Sequence, residues 1–145
     1  MGNYLNPGND MFYKMVHSEI YVDKTGLIGY CNHVINTMQR YICVSRPRRF
    51  GKSMAANMLV AYYSRNCDSK ELFSSLAIAD TLDFEDHLNK YNVIHLDMTR
   101  FASKAPDVKG MIDRLELTLK QELSELCADI SYPDFYSSDE ILTLI

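Results

Sequence analysis

The segment from residue 41 to residue 63 constrains the fold more than any other part of this chain. Residues 41–45 (YICVS) are short, apolar and rich in β-forming side chains, so they predict a buried parallel strand. Residues 46–53 (RPRRFGKS) are basic and predict a loop. Residues 54–63 (MAANMLVAYY) favour a helix and are apolar nearly all round. A strand, a loop that ends in Gly-Lys-Ser and a helix form the arrangement that a phosphate-binding loop requires.

Each residue type in this loop suits the chemistry of a phosphate site. Backbone N–H groups of the loop and of the following helix can surround phosphate oxygens, and Gly51 leaves room for their close approach. Lys52 can reach the β- and γ-phosphates, and the Ser53 hydroxyl can ligate Mg²⁺. We therefore predict ATP and Mg²⁺ as cofactors, Lys52 as the catalytic residue and Ser53 as a metal ligand. The predicted nucleotide-binding residues are Arg46, Pro47, Arg48, Arg49, Phe50, Gly51, Lys52, Ser53 and Met54.

Two observations argue against a phosphate site. Gly-Lys-Ser is a short motif, and Arg46 stands where the phosphate-loop consensus has its first glycine. The alternative is a basic turn between a strand and a helix that begins with an ordinary serine. The apolar segments on both sides of the loop favour the phosphate site. The chain lacks the Asn-Lys-x-Asp motif that specifies guanine, which favours ATP.

Apolar patterns predict further elements on both sides of the loop. Residues 92–98 (NVIHLDM) predict a second buried strand, and residues 108–130 carry a helical stripe of apolar side chains. The other predicted elements are helices at 24–38 (with Asp23 as N-cap), 69–73, 83–88 and from 138 onwards, and a minor strand at 76–78. These elements predict the α/β class, as a P-loop NTPase-type three-layer fold with a mostly parallel sheet. Residues 1–20 predict an irregular N-terminal arm.

The end of the sequence predicts an incomplete fold. The predicted last helix begins at Asp139, and the chain stops at Ile145 within an apolar run. A helix this short has no following segment into which it can continue. We therefore expect the chain to be a truncated fragment whose sheet is incomplete, through truncation of the gene or of the expressed sequence.

Composition excludes several other classes of protein. The net charge of −4 argues against non-specific nucleic-acid binding by the whole chain, although residues 46–52 hold a local basic cluster. The four cysteines are Cys31, Cys43, Cys67 and Cys127. They have no C-x-x-C spacing and predict free thiols rather than a zinc site. No segment approaches the roughly 20 apolar residues that cross a membrane, and the N-terminus lacks a signal-peptide pattern. We expect a cytoplasmic protein with no membrane contact.

Two motifs carry a resemblance to a known family. Residues 45–53 (SRPRRFGKS), together with residues 21–25 (YVDKT) upstream, resemble the bacterial AAA-ATPase-like family of predicted P-loop ATPases. The turn at residues 72–73 and the segment 91–97 (YNVIHLD) match the layout of that family, and the resemblance covers residues 5–101 well. In this family an arginine in place of the first glycine is normal.

The resemblance also implies roles for individual residues. Lys52 and Ser53 would contact phosphate and magnesium. Arg48 and Arg49 would help to neutralise the phosphate charge. The motif at residues 21–25 would place Asp23 and Lys24 beside the nucleotide pocket.

Asp97 follows an apolar run, as the magnesium-linked acid of a P-loop ATPase does. It is therefore the second metal candidate, and the alternative is a polar residue at the end of a strand. In the family this acid belongs to a later strand, so the resemblance places the catalytic acid beyond residue 145. Residues 21–145 would then be the N-terminal part of a P-loop ATPase-like domain, to which full-length relatives add a restriction-nuclease-like domain.

These inferences predict an ATP·Mg²⁺-binding module that hydrolyses ATP in the full-length protein and hydrolyses it weakly or not at all in this chain. One alternative is a P-loop small-molecule kinase, although Arg114 is the only arginine after residue 101 and a lid is hard to find. The other is a non-catalytic interaction module whose arginine-rich loop holds an acidic partner or a nucleic-acid backbone. The expected partner is a nucleotide, joined in the full-length protein by a nucleic acid or a protein. The oligomeric state stays open.

Overall fold

The fold was examined in a computed structural model, which describes residues 2–126. The described residues form helices joined by turns and extended segments. The helices are α1 (Asp10–Val16), α2 (Gly26–Val34), α3 (Lys52–Tyr63), α4 (Lys70–Phe73), a 3-10 helix (Ala77–Asp80), α5 (Phe84–His87), α6 (Met98–Ala102) and α7 (Val108–Leu126). The predicted helix after residue 138, and the predicted part of α7 after Leu126, lie outside the described residues.

The predicted three-layer α/β fold with a mostly parallel sheet is wrong, because residues 2–126 contain no sheet. An isolated parallel bridge joins Ser64 to Tyr91. Residues 41–45 were predicted to be a buried strand, yet Tyr41 is 81% exposed and Val44 is 42% exposed. A β-rich sequence becomes a strand only when another segment pairs with its backbone, and in the described part of the chain none does so.

Two smaller predictions fail for related reasons. Residues 76–78, predicted as a minor strand, lead into the 3-10 helix instead. Residues 1–20, predicted to be irregular, contain α1. Phe12 of this helix is fully buried and stacks against Phe73 with ring centroids 4.8 Å apart. Burial against a distant residue explains this helix, and no local sequence signal shows that contact.

The described residues belong to two compact units, of which the first comprises residues 6–95. Its core joins α1, α2 and α3 to the shorter helices that follow. The buried core residues are Phe12, Ile28, Cys31, Met58, Ala61, Tyr62, Tyr63, Phe73, Leu76, Ile78 and Phe84. Tyr62 Oη donates to the Phe84 carbonyl at 2.7 Å and accepts from Asn32 Nδ2 at 3.1 Å. Tyr63 Oη donates to Asn32 Oδ1 at 2.7 Å, so the buried polar atoms of this cluster satisfy one another.

Among the described residues, the second unit comprises residues 2–5 and 96–126. Helix α7 confirms the helical stripe predicted from residue 108, as far as Leu126. Glu122 of this helix is buried, and its carboxylate accepts hydrogen bonds from the N–H of Tyr4 at 2.9 Å and of Leu5 at 3.3 Å. None of the helices in residues 2–126 combines the length and the hydrophobicity needed to span a bilayer.

Candidate functional site

The junction between the basic loop and α3 has a backbone shape that only glycine adopts readily. Gly51 is the N-cap of α3 and has a φ of +79°, in the left-handed region. Arg49, two residues earlier, also has a positive φ, of +69°. Helix α3 begins at Lys52, two residues before its predicted start, and runs for 12 residues. Its first N–H groups have no partner within the helix, so this end carries a partial positive charge.

The ammonium group of Lys24 lies close to Gly51. A Cβ atom built on Gly51 would lie 3.1 Å from the ammonium nitrogen of Lys24. Any side chain at position 51 would therefore meet both backbone strain and Lys24. The motif at residues 21–25 and the Gly-Lys-Ser loop are thus close in space, although 25 residues lie between Thr25 and Gly51 in the sequence.

The ammonium group of Lys52 lies over its own loop. Lys52 Nζ donates to the backbone carbonyl oxygen of Arg46 and, at 3.4 Å, to that of Pro47. An ammonium has three N–H donors, so these contacts leave one donor for an anion. Lys52 is exposed to solvent, and an anion at the N-terminus of α3 would therefore meet a charge that the loop already holds in place.

The loop and the start of α3 are rich in basic residues and contain no acidic residue. Residues 46–64 contain four basic residues and no Asp or Glu. In the described part of the chain the ion pairs are Lys70–Glu85 and Lys120–Glu116, and neither involves the loop. Arg48 and Ser53 are exposed, with Ser53 in the first turn of α3. The loop is therefore a concentrated positive charge in a chain of net charge −4.

A cleft of about 270 Å³ lies directly beside the loop. Arg49, Phe50 and Gly51 line its loop side, and Lys24 stands at the same side. Most of the remaining lining is apolar and includes Phe12, Tyr21, Val22, Met54, Ala55 and Met58. Phe50 and Met54 were predicted to contact the nucleotide, and both face this cleft. Sequence reasoning missed the contributions of Phe12 and Met58, because α1 and α3 meet only in the folded chain.

Some residues of the motif at 21–25 line the cleft, and others hold the motif in place through hydrogen bonds. Tyr21, Val22 and Lys24 line the cleft. Asp23 does not, and its two carboxylate oxygens accept from the N–H groups of Thr25 and Ala77, each at 2.8 Å. Burial raises the pKa of Asp23, but these hydrogen bonds outweigh burial and hold that pKa below its ordinary value. The fully buried Thr25 Oγ1 accepts from the Ile78 N–H at 3.2 Å.

Asp23 and Thr25 therefore fasten the motif to the 3-10 helix, while its other residues form a wall of the cleft. Asp23 was predicted to be the N-cap of a helix that begins at residue 24. The helix instead begins at Gly26, and Thr25 is its N-cap. Asp23 lies two residues before Thr25, and its carboxylate accepts a hydrogen bond from the Thr25 N–H.

Asp97 has a local role of its own in the second unit. It is the N-cap of α6 and accepts from the Thr99 N–H at 3.0 Å, and the Thr99 hydroxyl also donates to it. Its predicted contact with magnesium stays a prediction. Within residues 2–126 no group of three His, Cys, Asp or Glu side chains is arranged to hold a metal ion. A magnesium ion here would depend on phosphate oxygens and water as much as on protein ligands.

Comparison with known proteins places this geometry in a family. A family model described as a predicted AAA-ATPase matches residues 8–143. The chain belongs to this family. The match covers the YVDKT motif, the basic loop and helix α3, and it confirms the resemblance that the two motifs carry. No curated protein and no solved structure matches the chain significantly.

Membership of the predicted AAA-ATPase family supports a general ATPase-like function. The matched residues include the loop, with its left-handed glycine and the lysine that follows, and the 12-residue helix α3. Of the predicted site residues, 46–54 are consecutive along the loop and the first turn of α3, and Asp97 belongs to the second unit. The structure adds Lys24, whose position beside the loop joins the two motifs of the family.

Proposed function

We propose that this chain binds ATP·Mg²⁺ through the loop at residues 46–53 and the N-terminus of α3, as the nucleotide-binding part of an ATPase. One observation carries the proposal: Gly51 is left-handed at the start of α3, Lys24 Nζ lies beside it, and Lys52 Nζ is held by carbonyl oxygens of the same loop. Backbone N–H groups and two cations around a hollow without a Cβ atom are suited to a polyphosphate. Family membership supports the choice of a nucleoside triphosphate over other anions.

The residues present fit the group that the family implies. Lys52 would bind terminal phosphate oxygens, and Lys24 would add charge from the side of the cleft. Ser53 stands in the first turn of α3, where its hydroxyl could enter the coordination shell of Mg²⁺. Bound Mg²⁺ would draw charge from the β- and γ-phosphates. The described loop and cleft lining contain no acidic residue, so most of the remaining magnesium ligands would be water.

Hydrolysis needs, in addition, a group that positions the attacking water. Neither the loop nor the cleft lining supplies a carboxylate for this purpose. We therefore expect this chain to bind ATP·Mg²⁺ and to release phosphate slowly or not at all. Substantial phosphate release that survives Lys52→Ala would contradict the assignment of the site.

Isothermal titration of the chain with ATP·Mg²⁺ tests the proposal. Lys52→Ala should weaken binding by roughly 10- to 100-fold, because a contact between charged groups contributes about 1.5–3 kcal/mol. Lys109→Ala is a matched control, since Lys109 is also an exposed lysine in the first turn of a long helix, α7. It should leave the affinity unchanged. Absence of binding heat with the wild-type chain would favour the non-catalytic interaction module.

We also propose a cytoplasmic location. Cys31, Cys43 and Cys67 are free thiols, and free thiols are typical of a reducing compartment. Cell fractionation tests this proposal, and recovery of the natural protein from the secreted fraction would contradict it.

A further inference from the structure

The cleft and the phosphate loop share residues. Arg49, Phe50 and Gly51 belong to the loop and also line the cleft, and Lys24 lies at their boundary. A polyphosphate bound at the start of α3 would therefore have the cleft as its neighbour. The group to which the polyphosphate is attached would then lie beside the cleft.

The walls of the cleft suit a flat apolar group. Its floor contains Phe12 and Met58, which are 0% and 2% exposed, and its rim contains Val22, Phe50 and Met54, which are 41–64% exposed. Phe12 and Tyr21 meet edge to face with ring centroids 6.2 Å apart. Aromatic and thioether side chains at such positions bind aromatic rings by stacking and by contacts with sulfur.

The volume of the cleft is sufficient for only part of a nucleotide. Sites for drug-sized molecules span about 300–1,000 Å³. The cleft, at about 270 Å³, lies just below that range. It therefore suits one ring system of a nucleotide, with the phosphates left at the loop.

The electrostatics of the cleft agree with a neutral ring. Its lining contains two cations, Lys24 and Arg49, and no acidic residue. Burial raises the pKa of Tyr21 to about 12, so the phenol in the wall is uncharged at neutral pH. The charged side chains that line the cleft are both cations, so an anionic tail can run from the cleft to Lys24 and Lys52.

We infer that this cleft holds the base of the nucleotide whose phosphates bind at the loop, by packing the base against Tyr21, Phe50 and Met54, while the fully buried Phe12 supports the wall from behind. The inference rests on the proposed function, because it assumes a polyphosphate at Gly51. It assigns a binding role to α1 and to the YVDKT motif, both of which precede the loop by more than 20 residues.

The first test compares ATP·Mg²⁺ with inorganic tripolyphosphate·Mg²⁺, which lacks the base and the sugar. Titration of the wild-type chain should give an affinity for ATP at least ~10-fold higher than for tripolyphosphate, as expected for one stacked base. Equal affinities would overturn the base site and leave the phosphate site standing. Binding of neither ligand would overturn the proposed function and this inference together.

A cleft variant and a matched control then distinguish binding of the base from binding of the phosphates. Met54→Ala removes a wall side chain that is 41% exposed, and Met98→Ala removes a methionine that is 42% exposed in the second unit. Met54→Ala should weaken ATP binding ~3- to 10-fold and leave tripolyphosphate binding unchanged, as expected from the loss of a single stacking contact. Met98→Ala should change neither.

Ala55→Phe provides an independent variant, because it fills the cleft instead of widening it. It should weaken ATP binding by at least ~10-fold and change tripolyphosphate binding less than ~2-fold. Far-UV circular dichroism identifies any variant that fails to fold, and the comparison then relies on the other one. An equal loss for ATP and tripolyphosphate in folded protein would overturn the inference, and so would no loss for ATP.

Discussion

At the scale of single residues, the backbone conformation of Gly51 restricts what can replace it. Its φ of +79° strains any other residue, and a Cβ atom there would approach the Lys24 ammonium to 3.1 Å. Both constraints act on the point where the loop becomes α3. The requirement for glycine thus comes from backbone geometry, while the Lys24 side chain would have to shift only slightly.

Gly51→Ala should lower the free energy of unfolding by about 1–2 kcal/mol, the cost of a left-handed alanine. It should also weaken ATP·Mg²⁺ binding at least ~10-fold, since the methyl group would occupy space that the phosphates need. Urea unfolding and isothermal titration measure the two effects. Gly26→Ala is the control, because Gly26 lies in α2 and a Cβ there would have no atom within 4 Å. Equal effects of the two substitutions would contradict the role of Gly51.

At the scale of elements, α3 connects the candidate site to the core. Its first residue is Lys52, and its last turn contains the buried Tyr62 and Tyr63. The C-terminal end of α3 is capped by Asn89, whose Nδ2 donates to the carbonyls of Ala61 at 2.9 Å and Ser64 at 3.0 Å. The Asn89 N–H donates to the Tyr62 carbonyl at 2.7 Å. This single side chain satisfies carbonyls that the end of a helix leaves without partners.

Asn89→Ala should lower the free energy of unfolding by about 1–3 kcal/mol, because partly buried carbonyls lose their donor and because Asn89 has a φ of 55°, which strains alanine. Asn89→Asp should lower it further, since a carboxylate would face carbonyl oxygens at the negative end of α3. Thermal and urea unfolding measure both changes. Asn66 is exposed and lies shortly after α3, so Asn66→Ala should have little effect. If Asn89→Asp were as stable as the wild type, the capping role would be wrong.

At the scale of the whole molecule, the described core of the first unit depends on neutral tyrosines. Burial raises the pKa of Tyr62 and of Tyr63 above the ordinary 10.0 of a phenol, and Tyr21 is raised to about 12. The stabilising effect of these groups is complete below pH 10, where both the folded and the unfolded phenol are protonated. Above pH 10 the unfolded chain loses protons first, so stability falls as the pH rises.

Each of these tyrosines should lower the free energy of unfolding by up to about 1.4 kcal/mol per pH unit above pH 10. Urea unfolding between pH 8 and roughly pH 11 measures the slope. Tyr63→Phe should reduce that slope, because the variant has one fewer phenol to keep neutral. Tyr30→Phe should leave it unchanged, since Tyr30 is 53% exposed. A wild-type stability that is flat up to pH 11 would contradict this account.

The sequence by itself determined the local features of this protein. Helices α3 and α7 were predicted, because helical hydrogen bonds join residues four positions apart and leave their pattern in a short stretch of sequence. The Gly-Lys-Ser loop and the YVDKT motif were also visible, and they identified the family that the match over residues 8–143 confirms.

Only the tertiary structure decided which segments pair and where a pocket forms. Residues 41–45 have the composition of a strand, but strand formation depends on a backbone partner that composition does not specify. The cleft likewise joins residues 12–15, 20–24 and 49–58, three separate stretches of the chain. The closeness of Lys24 to Gly51 is also a feature that only the folded chain shows. Each depends on contacts between residues far apart in sequence, and such contacts leave no periodic signal.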